Sequence, residues 1–182
     1  MINQQLIRPR SIAVVGASND ITKPGGKVLK NILDHHFEGQ VYVVNPKESQ
    51  IQGLTCHADV SLLPDTDLAI LAIPARFCPA AVEVLARQKN TRAFIILSAG
   101  FHEESEEGAR FEREIVETVD SVGGCLIGPN CIGVMTPWHA SVFTTPIPKL
   151  EPKGVDFISG SGATAVFIME SAIPNGLVFY DS

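Results

Sequence analysis

The stretch Arg10-Ser11-Ile12-Ala13-Val14-Val15-Gly16-Ala17-Ser18-Asn19-Asp20 decides the fold class, because an apolar, β-branched run empties directly into glycine and small polar residues. Pro24-Gly25-Gly26-Lys27 follows, and residues 27–36 then carry an amphipathic helical period. The pattern is strand, loop, helix. Gly16 lets the backbone turn sharply and a ligand come close, Ser18 offers a hydroxyl, and the first N–H groups of the helix favour an anion. A dinucleotide fingerprint would need Gly-x-Gly-x-x-Gly from Gly16, yet its second and third glycine positions are Ser18 and Ile21.

Downstream, Val41-Tyr42-Val43-Val44, Leu68-Ala69-Ile70-Leu71-Ala72-Ile73, Ala93-Phe94-Ile95-Ile96-Leu97 and Cys125-Leu126-Ile127 are near-continuous apolar runs, as strands buried on both faces require. Helical patterns at 79–88 and 104–122 alternate with them. The alternation predicts an α/β, Rossmann-like, doubly wound parallel sheet with right-handed crossovers. Residues 45–67, with Pro46, Gly53 and Pro64, show no sustained period and are expected to be loop with a short turn or two. Pro137, Pro146, Pro148 and Pro152 mark an ordered linker over 137–154. A strand Val155-Asp156-Phe157-Ile158, a turn Ser159-Gly160-Ser161-Gly162, a helix over 163–172 and a strand over 177–180 then resemble the opening of a second, flavodoxin-like α/β domain. Two strands and one helix cannot close a core of their own. The expected organisation is therefore a first domain at 1–136, a linker at 137–154 and a truncated second unit at 155–182.

The 182 residues are 45% hydrophobic and 19% charged, which is globular composition rather than disorder. Twenty acids against fourteen bases leave a net charge of −6, which argues against non-specific nucleic-acid binding and against an anionic membrane surface. Any phosphate site must be local. No apolar run reaches the length of a membrane span and the start shows no secretory signal pattern, so a cytoplasmic protein is expected. Cys56, Cys78, Cys125 and Cys131 form no Cys-x-x-Cys pair and are expected to be buried thiols.

In an open parallel sheet ligands bind beyond the carboxyl ends of the strands. The residues there are Gly16-Ala17-Ser18-Asn19, Asn45-Pro46-Lys47, Pro74-Ala75-Arg76-Phe77-Cys78, Ser98-Ala99-Gly100-Phe101 and Gly128-Pro129-Asn130-Cys131. A nicotinamide site usually ends its second strand in an acid; here Lys47 follows instead, which suits a phosphorylated ribose. Coenzyme A and the phosphorylated dinucleotide both carry one. A solvated loop lysine is the plain alternative. Pro74 presents an apolar, donor-free edge, and Ser98-Ala99-Gly100 offers small residues and free N–H groups, although ordinary turn chemistry would use the same residues. Pro129 fixes a bend from which Asn130 can hydrogen-bond to neighbouring loops.

Together Gly16-Ala17-Ser18-Asn19, Val44-Asn45-Pro46-Lys47, Ala72-Ile73-Pro74-Ala75, Leu97-Ser98-Ala99-Gly100-Phe101 and Ile127-Gly128-Pro129-Asn130-Cys131-Ile132-Gly133 resemble the coenzyme A-binding domain of ADP-forming acyl-CoA synthetases, relatives of the succinyl-CoA synthetase alpha subunit. The resemblance covers almost the whole chain. It implies coenzyme A contacts at Gly16, Ala17, Ser18, Asn19, Lys47, Ile73, Pro74, Ser98, Ala99, Gly100 and Asn130. It also implies a reversible conversion of acyl-CoA, phosphate and a nucleoside diphosphate to acid, coenzyme A and a nucleoside triphosphate, through an acyl phosphate and a phosphohistidine. That histidine is expected beyond Ser182, so no catalytic residue is assigned within the chain. ATP, ADP and magnesium would be handled by an ATP-grasp domain or subunit, within an oligomer.

Ser159-Gly160-Ser161-Gly162-Ala163 resembles the family's Ser-x-Ser-Gly segment, and the small residues and helix N-terminus suit a phosphate at Ser159, Ser161, Gly162 and Ala163. Two other functions fit the same fold: an NADP-binding oxidoreductase domain, and a coenzyme A-sensing domain of an acyltransferase. His35, His36, His57, His102 and His139 are not expected to carry phosphate, and His102 reads as a solvated loop residue. Glu103, Glu104, Glu106 and Glu107 read as a solvated first helical turn, and no residues show transition-metal spacing.

Overall fold

The computed structural model describes residues 1–148, 150–151, 154–155 and 161–180. In chain order its elements are α1 (Gln4–Ile7), β1 (Ser11–Val15), α2 (Pro24–Asp34), β2 (Gln40–Val44), β3 (Gln50–Ile51), β4 (Leu54–His57), β5 (Leu68–Leu71) and α3 (Cys78–Gln88). Then come β6 (Ala93–Ile96), α4 (Glu106–Ser121), β7 (Cys125–Ile127), β8 (Gly133–Thr136), β9 (His139–Val142), β10 (Leu150–Glu151), α5 (Gly162–Ala172) and β11 (Phe179–Tyr180).

Seven strands form one sheet in the order β3-β4-β2-β1-β5-β6-β7, parallel throughout except for β3 against β4. β1, β5 and β6 are buried at every residue, which is why they are apolar runs apart from Ser11, whose Oγ accepts from the Asp67 N–H. Their side chains alternate between two cores. Ala13, Val15, Ala69, Leu71, Phe94 and Ile96 pack with Val82 and Leu85 of α3 and Ile115 and Val119 of α4. Ile12, Val14, Leu68, Ile70 and Ile95 pack with Leu6 and with Val28, Leu29 and Ile32 of α2. Full burial of each Val, Leu, Ile or Phe among them is worth about 1.5–3 kcal/mol. The expected Rossmann-like, doubly wound α/β sheet is present, with α2 on one face and α3 and α4 on the other.

The helix ends follow their local chemistry. Pro24 occupies the first turn of α2, where its missing N–H costs nothing. Ser105 caps α4 by accepting from the Gly108 N–H, and Glu106 and Glu107 sit in the first turn, as the macrodipole favours.

Residues 45–67 hold more structure than a loop. β4 extends the sheet in parallel with β2, pairing Cys56 with Val43 and His57 with Val44, and β3 closes the edge as a hairpin. The turn is Gln52-Gly53, both with positive φ (47° and 86°), the combination that fits a two-residue hairpin to the strand twist. A two-residue strand and Leu-Thr-Cys-His leave no apolar period to recognise.

The stretch expected as a linker from residue 137 begins with a strand. β9 pairs antiparallel with β8, is buried at all four residues and packs on α2. Polar bolts hold it. The buried Asn31 amide on α2 donates to the carbonyls of Val142 (2.7 Å) and Thr144 (3.1 Å). Thr136 Oγ1 donates to the Ile7 carbonyl at 3.0 Å. The His139 ring sits 2.7 Å from Ser141 Oγ through Nδ1 and 2.8 Å from the Leu6 carbonyl through Nε2. A carbonyl only accepts, so Nε2 carries the proton and Nδ1 accepts from Ser141. Burial pushes the His139 pKa down, only partly opposed by the Leu6 carbonyl, and the ring is neutral.

Beyond Thr144, β10 pairs in parallel with β11, and Val155 bridges to Phe179. The helix expected over 163–172 is α5, starting one residue earlier. Residues 156–158 of the expected strand lie outside the described residues. Among the described residues no helix is long and apolar enough to cross a membrane.

Asn31→Ala removes both donors from buried carbonyls and is expected to cost about 1–3 kcal/mol in urea unfolding. His139 carries a pKa below that of the unfolded chain, so the unfolded state takes up the proton first on acidification. Stability should therefore fall as pH drops below about 6.5, the usual value for histidine. Urea midpoints measured across pH 5–8 should show this slope in the wild type and a smaller one in His139→Gln.

Candidate functional site

The chain runs outward from β1 through β2 to β4, then returns to the other flank of β1 at β5, so strand order reverses between β1 and β5. A crevice at the carboxyl edge is expected at that reversal. The loops after β1, β2, β5, β6 and β7 all emerge on that edge, which places Gly16, Lys47, Ile73, Ser98 and Asn130 on one side of the molecule.

The loop after β1 is built on contacts that exclude side chains. Gly16 has φ +84°, donates its N–H to the Val44 carbonyl, and a Cβ there would lie 2.5 Å from the Ala72 oxygen. On Gly25 a Cβ would lie 2.1 Å from the Gly16 oxygen, and on Gly26, 2.1 Å from the Asp20 oxygen. Gly25 and Gly26 thus supply the close approach of helix to strand that a dinucleotide fingerprint takes from its third glycine, after a longer loop. Within that loop Ser18 Oγ accepts from the Asp20 N–H, and Asp20 Oδ1 accepts from the Thr22 N–H and hydroxyl. The Thr22 bonds hold the Asp20 carboxyl below its usual pKa.

Not every residue expected to face a ligand has its side chain free to do so. Ala17 is fully buried in the α2-side core, and its carbonyl accepts from Asn45 Nδ2 at 2.9 Å. The Asn19 amide is taken up by the β3–β4 hairpin: Nδ2 donates to the Gln50 carbonyl and Oδ1 accepts from the Gln52 N–H. Lys47 is exposed, its N–H donates to Asn45 Oδ1, and its ammonium has no ion-pair partner among the described residues.

The remaining loops are laced together. Ser98 Oγ donates to the Ile73 carbonyl at 2.6 Å, and the Asn130 N–H donates to the Ser98 carbonyl at 3.0 Å. Asn130 itself has φ +53°. Pro74 is exposed and leads a 3₁₀ turn, Ala75–Phe77, which brings the Arg76 guanidinium 4.6 Å from the centre of the exposed Phe77 ring. Ala99 is exposed. Gly100 has φ +102° and its N–H is occupied by Glu103 Oε1 at 2.8 Å, so a carboxylate already sits on one of the free donors expected there.

Beside these loops lies an apolar cavity of about 430 Å³, lined by Val15, Val44, Pro46, Val60, Ile73 and Phe77 among others. It opens where β1, β2 and β5 end, and Lys47 directly follows its Pro46 wall. A larger hollow of about 780 Å³ involves Arg8, Phe37, Gly39 and Trp138, at the opposite ends of β1 and β2.

Of the residues expected to hold phosphate, Ser159 lies outside the described residues. Ser161 Oγ caps α5 by accepting from the Thr164 N–H at 3.3 Å. Ala163 is exposed, and a Cβ on Gly162 would come within 2.9 Å of the Ile132 side chain. The start of α5 therefore abuts the loop that carries Asn130.

His102 is exposed, and its Nδ1–H bonds Glu112 at 2.5 Å, which raises its pKa. Cys78 and Cys125 are buried, Cys56 and Cys131 half-buried, and all four are free. Burial pushes the Cys78 thiol up to about 12. The residues beside the site that sequence reasoning did not single out are Gln52 and Val60. Gln52-Gly53, a glycine-containing pair of the hairpin type, was the available signal for the first.

Residues 10–137 match the family model described as CoA binding domain. The chain is 38% identical over 177 residues to "Acetate--CoA ligase [ADP-forming] I" of Archaeoglobus fulgidus, with 97% of this chain and 25% of that protein covered. It is 39% identical over 172 residues to "Acetate--CoA ligase [ADP-forming] II subunit alpha" of Pyrococcus furiosus, with 94% and 37% covered. Among solved structures, the dinucleotide-forming acetyl-coenzyme A synthetase 1 of Ca. Korarchaeum cryptofilum, in complex with phosphate and ADP, superposes with a TM-score of 0.84 at 28% identity, covering 97% of this chain and 38% of that one. The chain thus spans between a quarter and two-fifths of the length of these relatives.

Gly16→Ala should place a methyl against the Ala72 carbonyl in a left-handed conformation. The left-handed strain alone costs about 1–2 kcal/mol, so a larger loss is expected in urea unfolding.

Proposed function

The chain belongs to the coenzyme A-binding domain family, and on that premise we propose that its carboxyl-edge crevice holds coenzyme A as the coenzyme A-binding part of an NDP-forming acyl-CoA synthetase. The observation that carries this reading is the juxtaposition of three features at one sheet edge. They are a turn with no room for a Cβ at Gly16, Gly25 or Gly26, an apolar cavity of about 430 Å³, and the Lys47 ammonium, which has no ion-pair partner among the described residues. Each suits a different part of one ligand. The cavity suits an adenine, Lys47 a ribose-borne phosphate, and the backbone of the loop from Gly16 to Asn19 a diphosphate. Ile73, Pro74, Ser98, Ala99, Gly100 and Asn130 then face the pantetheine arm, with Ser98 holding the loops after β5, β6 and β7 in register.

When bound, coenzyme A supplies the thiol that exchanges with an acyl phosphate. The chain's own part is to bind and orient that thiol. Ser159, Ser161, Gly162 and Ala163, in the opening of a second unit over 155–182, would receive the phosphate, and the contact of Gly162 with Ile132 supports a place for that helix start near the coenzyme A loops. The whole reaction interconverts acyl-CoA, ADP and phosphate with acid, coenzyme A and ATP. It requires an ATP-grasp domain or subunit, a phosphohistidine and magnesium supplied by the remainder of a cytoplasmic assembly. ADP-forming ligases among the relatives support this reading.

Isothermal titration tests it. Folded wild-type protein should bind coenzyme A. Lys47→Ala should weaken coenzyme A by about tenfold or more, the worth of a hydrogen bond to a charged group, and leave dephospho-coenzyme A unchanged. Folded protein that ignores coenzyme A refutes the proposal.

A further inference from the structure

Gln52 touches the loop after β1 from a hairpin outside the run of strand-end loops. Its Nε2 donates to two carbonyls at once, Ser18 and Gly26, both at 2.9 Å. Its backbone N–H donates to Asn19 Oδ1 at 2.9 Å, and Asn19 Nδ2 returns a bond to the Gln50 carbonyl at 3.1 Å. Four hydrogen bonds therefore join the hairpin to the loop and to the first turn of α2. Three groups of the loop and helix answer to this one turn: the Ser18 carbonyl, the Asn19 amide and the Gly26 carbonyl.

The turn that presents Gln52 is rigidly placed. Gln52 and Gly53 both have positive φ, and β4 is a strand of the main sheet, paired with β2. The loop it grips leans on Gly26, where a Cβ would lie 2.1 Å from the Asp20 oxygen and 3.0 Å from the Ser18 oxygen. Apart from Gln52 and its hairpin, the bonds that tie the loop to the sheet act at its start, where the Gly16 N–H donates to the Val44 carbonyl and Asn45 Nδ2 to the Ala17 carbonyl. Ser18 and Asp20 organise only its interior, and Lys23 at the start of α2 makes no side-chain cap.

We infer that the β3–β4 hairpin is a clamp that holds the loop after β1 in shape for a diphosphate, with Gln52 as its positioning residue. The inference rests on the coenzyme A reading and extends it to a residue that touches no ligand. The carboxamide fixes the Ser18 and Gly26 carbonyls relative to one another, and so the loop relative to the first turn of α2.

Gln52→Asn separates the clamp from the turn. Asparagine is preferred at positive φ before glycine, so the hairpin keeps its conformation, but the side chain is one methylene too short to span both carbonyls. Titrations of the 182-residue chain with coenzyme A, dephospho-coenzyme A and adenosine 3′-phosphate, alongside thermal unfolding, give the test. Coenzyme A and dephospho-coenzyme A, which share the diphosphate, should both weaken by about tenfold. Adenosine 3′-phosphate, which lacks it, should bind as it does to wild type, and thermal unfolding should show a folded, cooperative variant. Unaltered coenzyme A affinity would overturn the inference, and so would equal weakening of all three ligands, since that marks a merely structural role. Failure of the wild type to bind coenzyme A strikes the parent reading instead.

Discussion

The close approach of α2 to β1 is the constraint on which the candidate site depends. A Cβ on Gly25 would fall 2.1 Å from the Gly16 oxygen, and a Cβ on Gly16 would fall 2.5 Å from the Ala72 oxygen. Three backbones, those of β1's loop, α2 and the end of β5, meet where side chains cannot. Once they are that close, the loop between β1 and α2 has to fold outward in a small compass, and Ser18, Asp20 and Thr22 supply the local bonds that let it do so. The apolar cavity next to it is a consequence of the same arrangement, because Val15 and Ile73 at the ends of β1 and β5 form part of its wall.

A second set of constraints is polar and lies at the far side of α2. On that face the sheet is covered by one helix, the short α1 and the β8–β9 hairpin, where a further helix would otherwise be needed. β9 and the residues just after it bring a buried Val142 carbonyl, a half-buried Thr144 carbonyl and a buried histidine, and each has a partner: Asn31 for Val142 and Thr144, Leu6 and Ser141 for His139. Leaving such groups bare costs about 1–3 kcal/mol each. Apolar contact would hold the hairpin against α2 in many registers, whereas these bonds permit one.

Much of this architecture was legible. Strands buried on both faces read as near-continuous apolar runs, so β1, β5 and β6 announce themselves, and the amphipathic periods of α3 and α4 mark the crossovers. β4 was not legible, because an outer strand that is half-buried needs no apolar pattern, and Leu-Thr-Cys-His has none. β9 was hidden by the prolines around it. At the site, the positions of Gly16, Lys47, Ser98 and Asn130 at strand ends followed from strand assignment alone. The uses of Ala17 and Asn19 did not, since a methyl turned into the core and an amide taken by Gln50 and Gln52 depend on partners more than thirty residues away or on another layer.

By itself, then, the order of apolar runs and glycines determined a doubly wound parallel sheet and the edge at which a ligand would meet it. Burial of periodic side chains is a local property of the chain, and strand polarity follows from the crossovers. Only the tertiary structure decided which groups at that edge remain available. Hydrogen-bond donors and acceptors are claimed pairwise across the fold: Gln52 claims the Ser18 and Gly26 carbonyls, Glu103 claims the Gly100 N–H, and Lys47 is left with an unpaired charge among the described residues. Such claims are settled by distances of a few ångströms between residues remote in sequence, and no local pattern encodes them.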